Sequence, residues 1–167
     1  MKSFVLTLFI GALLCSCKKE DAGNENSIAL DHYTGLSNTT MDELRNARLA
    51  TQRYQILDSA LSDGYEDIGV NVEEMGHHYM KNALVDSVFD PLHPEILVYN
   101  RDENNRPYLV AVEYAVPLNR PRPEGFTGSN DVWDGNANFS LWLLHAWVWA
   151  YNPNGVFNPT NPTIHLH

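Results

Sequence analysis

Both cysteines of this 167-residue chain, Cys15 and Cys17, fall in its first seventeen residues, so everything after them must fold without a disulfide or a thiolate metal site. They close an apolar stretch, residues 4–14, which follows Lys2 and is too short to cross a bilayer comfortably. A positive start, an apolar core and the small Ser16 form the layout of a secretory signal. Removing it leaves roughly 150 residues, enough for one core-bearing domain and too few for two comfortable ones.

The run Leu14-Cys15-Ser16-Cys17 resembles a bacterial lipobox. That resemblance implies a signal peptide over residues 1–16, cleavage before Cys17, and lipid on Cys17. Acyl chains on a single cysteine hold a soluble domain to a membrane without a transmembrane helix. The charged Lys18-Lys19-Glu20-Asp21 is similar to the export signal of surface lipoproteins in Bacteroidota-type bacteria, which implies the cell envelope and the outer membrane, with the periplasmic or surface face left open. Residues 17–38 are polar and Asn/Ser-rich and read as a flexible tether. Residues 39–167 then form a single globular domain. A net charge of −10, with no Lys/Arg cluster after Lys19, argues against nucleic acid as a partner.

The spacing in Thr40-Met41-Asp42-Glu43 is that of a capping box at a helix start. Leu44, Ala47, Thr51, Tyr54, Leu57 and Leu61 follow at intervals of three and four, an apolar stripe that leaves Arg45, Arg48 and Arg53 facing water. Asp63-Gly64 ends this long helix. Beyond it the pattern shifts to short β-branched and aromatic runs. Residues 68–72 suggest a strand, 75–80 are ambiguous, and 96–100 with 108–116 form a hairpin around Asp102-Glu103-Asn104-Asn105. Residues 141–151, rich in Trp and apolar on both faces, read as a central strand. The chain ends in a succession of Asn-Pro turns. The fold class expected is α+β, one long N-terminal helix packed on a curved antiparallel sheet.

Three polar side chains stand in segments that otherwise favour burial: His78, Glu113 and His145. Each requires a partner, because an unpaired buried polar group costs on the order of 1–3 kcal/mol. Strand alternation puts Glu113 on a face with Leu109, Ala111 and Ala115, and His145 on a face with Leu141, Leu143, Trp147 and Trp149. If those strands pair, imidazole and carboxylate meet, and His78 completes a two-His, one-carboxylate set for one divalent transition metal. The blander reading, slightly preferred, is that these groups satisfy one another inside the sheet.

The remaining constellations are weaker. His77 points away from His78, His93 belongs to a turn, and His165 and His167 lie on an extended tail. Asp131, Asp134, Asn136 and Asn138 surround Gly135 in an oxygen-rich loop that misses the EF-hand spacing. Trp133, Trp142, Trp147 and Trp149 suggest an aromatic platform, though core positions explain them as well. No nucleophile elbow, zinc-protease helix motif, phosphate loop or mature cysteine nucleophile is present.

The segments Met75-Gly76-His77-His78-Tyr79, Pro94-Glu95-Ile96-Leu97-Val98-Tyr99, Val112-Glu113-Tyr114, Leu144-His145-Ala146-Trp147-Val148-Trp149 and Asn152-Pro153-Asn154-Gly155-Val156-Phe157 together resemble an uncharacterised family of secreted bacterial proteins. The resemblance spans residues 47–162, assigns no reaction, and implies that His78, Glu113 and His145 belong to one unit. His77 and the His-Leu-His end depart from it. Three functions stay open. The first is a lipid-anchored envelope domain that binds a protein partner or a second copy through an apolar sheet face. The alternative is a metal-dependent enzyme or metal-binding protein built on His78, Glu113 and His145. The third is a pocket for a small apolar ligand.

Overall fold

The structure, a computed structural model, describes residues 28–166. The signal, Cys17 and the first part of the tether lie outside the described residues. Helices pack on one face of a curled, wholly antiparallel six-stranded sheet, an α+β arrangement. The chain order is α1 (Ile28–Asp31), α2 (Asn38–Thr51), α3 (Leu57–Ser62), β1 (Glu66–Val72), β2 (Gly76–Met80), β3 (Ile96–Arg101), β4 (Pro107–Pro117), β5 (Asp134–Asn136) and β6 (Leu141–Ala146). The spatial order is β1-β2-β3-β4-β6-β5.

The expected long helix is broken. α2 has 14 residues and passes through a short 3-10 turn, Gln52–Gln55, into α3, with Ile56 in extended conformation between them. The stripe survives the break in part: Leu44 and Tyr54 join Tyr79, Leu97, Tyr99, Val112, Tyr114 and Leu144 in one core, Ala47 and Thr51 are buried and Leu57 packs against it, whereas Leu61 is exposed and its neighbour Ala60 takes the buried place. Burying a side chain such as Leu44 contributes about 1.5–3 kcal/mol. The capping box does not form either. Ser37 caps α2 by accepting from the Thr40 amide, while the Thr40 hydroxyl donates to the Thr127 carbonyl and Glu43 accepts from the Thr127 amide and hydroxyl. The predicted cap residues fasten a distant loop instead. Arg48, expected to face water, is buried; its guanidinium donates to the Val148 carbonyl and lies 4.0 Å from the centre of the Trp149 ring.

The tether reading is corrected at its C-terminal end. Leu30 is buried in the core, and the Tyr33 hydroxyl donates to the Trp147 carbonyl and accepts from the Asn152 amide. Docked structure therefore includes residues 28–33, upstream of the expected domain start at residue 39.

The second sheet face is also covered. Met80, Ile96, Val98, Ala111 and Ala115 pack there with Trp147 and Ile164, the last two from the segment that follows β6. Two bulges decide which residues reach this face. In β4, Val98 pairs with Ala111 but Tyr99 pairs with Leu109, so Val110 is an extra residue and Leu109 turns to the helix side. The Val110 carbonyl is thereby freed to accept from Trp149 and Ala150 amides at 3.3 and 2.9 Å. In β1, residues 68–70 stand opposite His78 alone. β6 stops at Ala146 rather than 151, where the chain turns and the Trp147 amide donates to the Val156 carbonyl.

Candidate metal centre

Glu113 and His145 are direct partners in the β4–β6 ladder, which stands both side chains on the second face. His78 reaches the same place from β2, across β3. Its path crosses Val98 and Ala111, and the small alanines on either side of Glu113 leave the room. The Glu113 Oε1 lies 3.2 Å from His145 Nδ1, and its Oε2 lies 3.8 Å from His78 Nε2. Among the described residues, these three form the one group of His, Cys, Asp or Glu able to share a metal ion, with ligand atoms all within 4.8 Å of one another. Side-chain exposures of 5, 3 and 5 % for His78, Glu113 and His145 make the centre closed to bulk water.

Each ring is held. The Val70 carbonyl accepts from His78 Nδ1 at 3.0 Å; since a carbonyl only accepts, the proton of neutral His78 sits on Nδ1 and the Nε2 lone pair faces Glu113. The indole of Trp147 lies nearly parallel to the His145 imidazole, with ring centres 5.9 Å apart. The two imidazoles meet edge to face at 6.0 Å. His145 Nε2 is buried without a hydrogen-bond partner.

Burial sets the charge state. It raises the Glu113 carboxyl to about 8, with a smaller contribution from Asp134, and lowers His145 to about 3, with His78 acting in the same direction. Burial lowers His78 as well, opposed by backbone bonds to Val70 and Gly76. Without a cation the centre is therefore a neutral acid between two neutral imidazoles at pH 7. That set is under-bonded. The His78–Glu113 separation is too long for a hydrogen bond, yet it suits two atoms bound to a common ion at about 2.0–2.2 Å each, which stand roughly 3.3–4.3 Å apart. Three protein ligands leave a position for water or another small ligand.

Comparison with known proteins adds nothing to this geometry. No protein-family model, curated protein or solved structure matches the chain. The reading of the centre rests on its own atoms.

The other candidates go elsewhere. His77 Nδ1 bonds the Asn71 side-chain oxygen, His93 pairs with Asp90 in its exposed turn, and His165 is fastened by Glu73 at 2.9 Å rather than left loose. His167 lies outside the described residues. Asp131 accepts from the Phe126 amide and Asn136 from the Asn138 amide, so the oxygen-rich loop gathers no shared site. The four tryptophans do not make a platform: Trp133 packs on Phe89, Trp142 bonds the Arg120 carbonyl, Trp147 covers His145, and Trp149 lies under Arg48. Trp149 in particular leaves the face of His145, because β6 has already ended. A cavity of about 180 Å³ between Tyr33, Leu36, Val132 and Phe157 lies away from the centre and is lined in part by Asn130, Asn154 and Asn158.

Sequence reasoning missed one participant, and one buried carboxyl outside the centre. The Val70 carbonyl is available only because β1 bulges, and the hint was Asp67-x-Gly69, a turn pattern inside a strand. Glu95 is a further buried carboxyl, accepting from the Ala115 amide at 3.0 Å where it prolongs β3 alongside β4; burial raises it to about 8.

Proposed function

We propose that this chain is a lipid-anchored cell-envelope domain that holds one divalent transition metal ion between His78, Glu113 and His145. The observation that carries the reading is the 3.8 Å gap between a fixed Nε2 lone pair and a carboxyl oxygen, sealed from water beside the second imidazole. Two histidines and one carboxylate suit zinc, iron or a neighbouring divalent ion. The enclosure favours holding the metal over turning over a bulky substrate, since the three side chains are at most 5 % exposed. The anchor is supported by the lipobox-like residues 14–17 and by the charged residues 18–21.

The partner-binding reading has less to support it. The apolar residues of β3 and most of those of β4 are buried inside the domain, by the helices on one side and by Trp147 and Ile164 on the other, while Leu141, Trp142 and Leu143 of β6 are half-buried. Zinc titration of untagged protein by calorimetry, in a background where His165 and His167 are replaced by Ala, tests the metal reading. One equivalent bound, and none after His78→Ala with His145→Ala, is expected; equal binding by both proteins would contradict it.

A further inference from the structure

The bulge in β1 sits where the proposed centre needs it. In a regular antiparallel ladder the backbone carbonyls lie in the sheet, bonded to the next strand, and do not meet a ring standing off the face. Opposite His78, the three residues Ile68, Gly69 and Val70 replace a single partner, and the Val70 carbonyl leaves the ladder to accept from His78 Nδ1 at 3.0 Å. What keeps the bulge in shape is local. The Asp67 carboxylate accepts from the Gly69 amide at 2.8 Å, and Gly69 has φ +70°, a conformation that side chains with a Cβ disfavour.

We propose that Asp67 and Gly69 are positioning residues of the metal centre: by fixing the Val70 carbonyl they fix the proton on His78 Nδ1 and present Nε2 as the ligand atom. Neither touches the metal. They act through His78, as outer hydrogen-bond partners of metal-binding imidazoles do when they set tautomer and ring orientation. The consequence for affinity rests on the metal reading; the consequence for the tautomer does not. Asp67 and Gly69 are exposed at the sheet edge and the added Cβ of residue 69 would meet no atom within 4 Å, so substitutions there act on the bulge and not on the core.

The test has two arms on the full chain. Nitrogen-15 NMR of the histidine rings without metal reads the tautomer, and zinc titration reads the affinity. Wild-type protein is expected to show His78 protonated at Nδ1. Asp67→Ala is expected to give a mixture of tautomers and zinc binding weakened about 10–100-fold. Asp67→Asn, which keeps the accepting oxygen, is expected to retain both properties, and Gly69→Ala to behave like Asp67→Ala. A His78 proton on Nε2 in wild type, or an Asp67→Ala protein with unchanged tautomer and affinity, overturns the proposal. Absence of zinc binding by wild type overturns the metal reading alone, because the tautomer arm remains readable.

Discussion

Glu113 and His145 face each other directly across the β4–β6 ladder, with carboxyl oxygen and imidazole nitrogen 3.2 Å apart and both side chains almost fully buried. A cross-strand acid–imidazole pair is an expensive object to enclose in a sheet. Met80, Val98, Ala111, Ala115, Trp147 and Ile164 form the apolar cluster of the same face. The third group, His78, is the one that turns a pair into a site.

Gly76 begins β2 two residues before His78, and a Cβ there would stand 2.4 Å from the Tyr99 carbonyl oxygen, at φ +126°. Gly76→Ala must push β2 away from β3. A loss of at least about 2 kcal/mol in urea unfolding is expected from clash and backbone strain together.

Glu95 gives a pH dependence with a definite sign. Its folded pKa of about 8 lies above the ordinary 4.5, so between those values the folded state keeps a proton that the unfolded chain has released. This contribution is fully present below pH 4.5 and is lost as pH rises through about 8. Glu113 acts in the same sense, and His145, held to about 3, acts oppositely by making stability rise from about pH 3 to 6.5. Above pH 4.5 the two carboxyls outweigh the one imidazole, so on these three groups metal-free protein should be most stable near pH 4.5 and lose stability from there to about pH 8. Denaturant midpoints in the presence of a chelator check this, and Glu95→Gln should flatten the alkaline limb.

Arg48 is held by the Val148 carbonyl and the face of Trp149, with Asp31 nearby, and burial lowers its guanidinium to about 10. Arg48→Ala leaves a buried carbonyl unpaired and removes the packing of the stem, for an expected loss of about 2–3 kcal/mol. Arg48→Met should recover part of it. Thermal unfolding of the two variants distinguishes lost charge from lost packing.

Cys17 carries the localisation claim. Cys17→Ser should abolish acyl labelling and move the protein out of the membrane fraction. Membrane association equal to that of wild type would contradict lipid anchoring at this residue.

Much of the site was legible because two-residue alternation is robust over short strands. It placed Glu113 with Ala111 and Ala115, and His145 with Leu143 and Trp147, and the observed registers keep those groupings. The misreadings fall where tertiary contacts override local pattern. Val110 takes an extra place in β4 because its carbonyl serves residues 149 and 150, and Leu109 changes face as a result. The helical stripe gave the right buried residues through Tyr54 but could not show that the backbone breaks at Ile56, and past the break Ala60 is buried where Leu61 was expected. Thr40 and Glu43 have the spacing of a cap and bind a loop 84 to 87 residues away instead. Glu95 stood beside a proline in a turn-like run, and nothing local marks it as the group that meets the Ala115 amide.

The measurement that bears most directly on the account is X-ray absorption at the zinc edge on protein loaded with one equivalent of zinc. Two imidazole nitrogens and a carboxylate oxygen at about 2.0–2.2 Å are predicted, with one imidazole lost in His78→Ala and the oxygen replaced in Glu113→Ala. A shell made only of water and exposed carboxylates, indifferent to both substitutions, would leave the buried acid and its two imidazoles as a structural hydrogen-bonding cluster and nothing more.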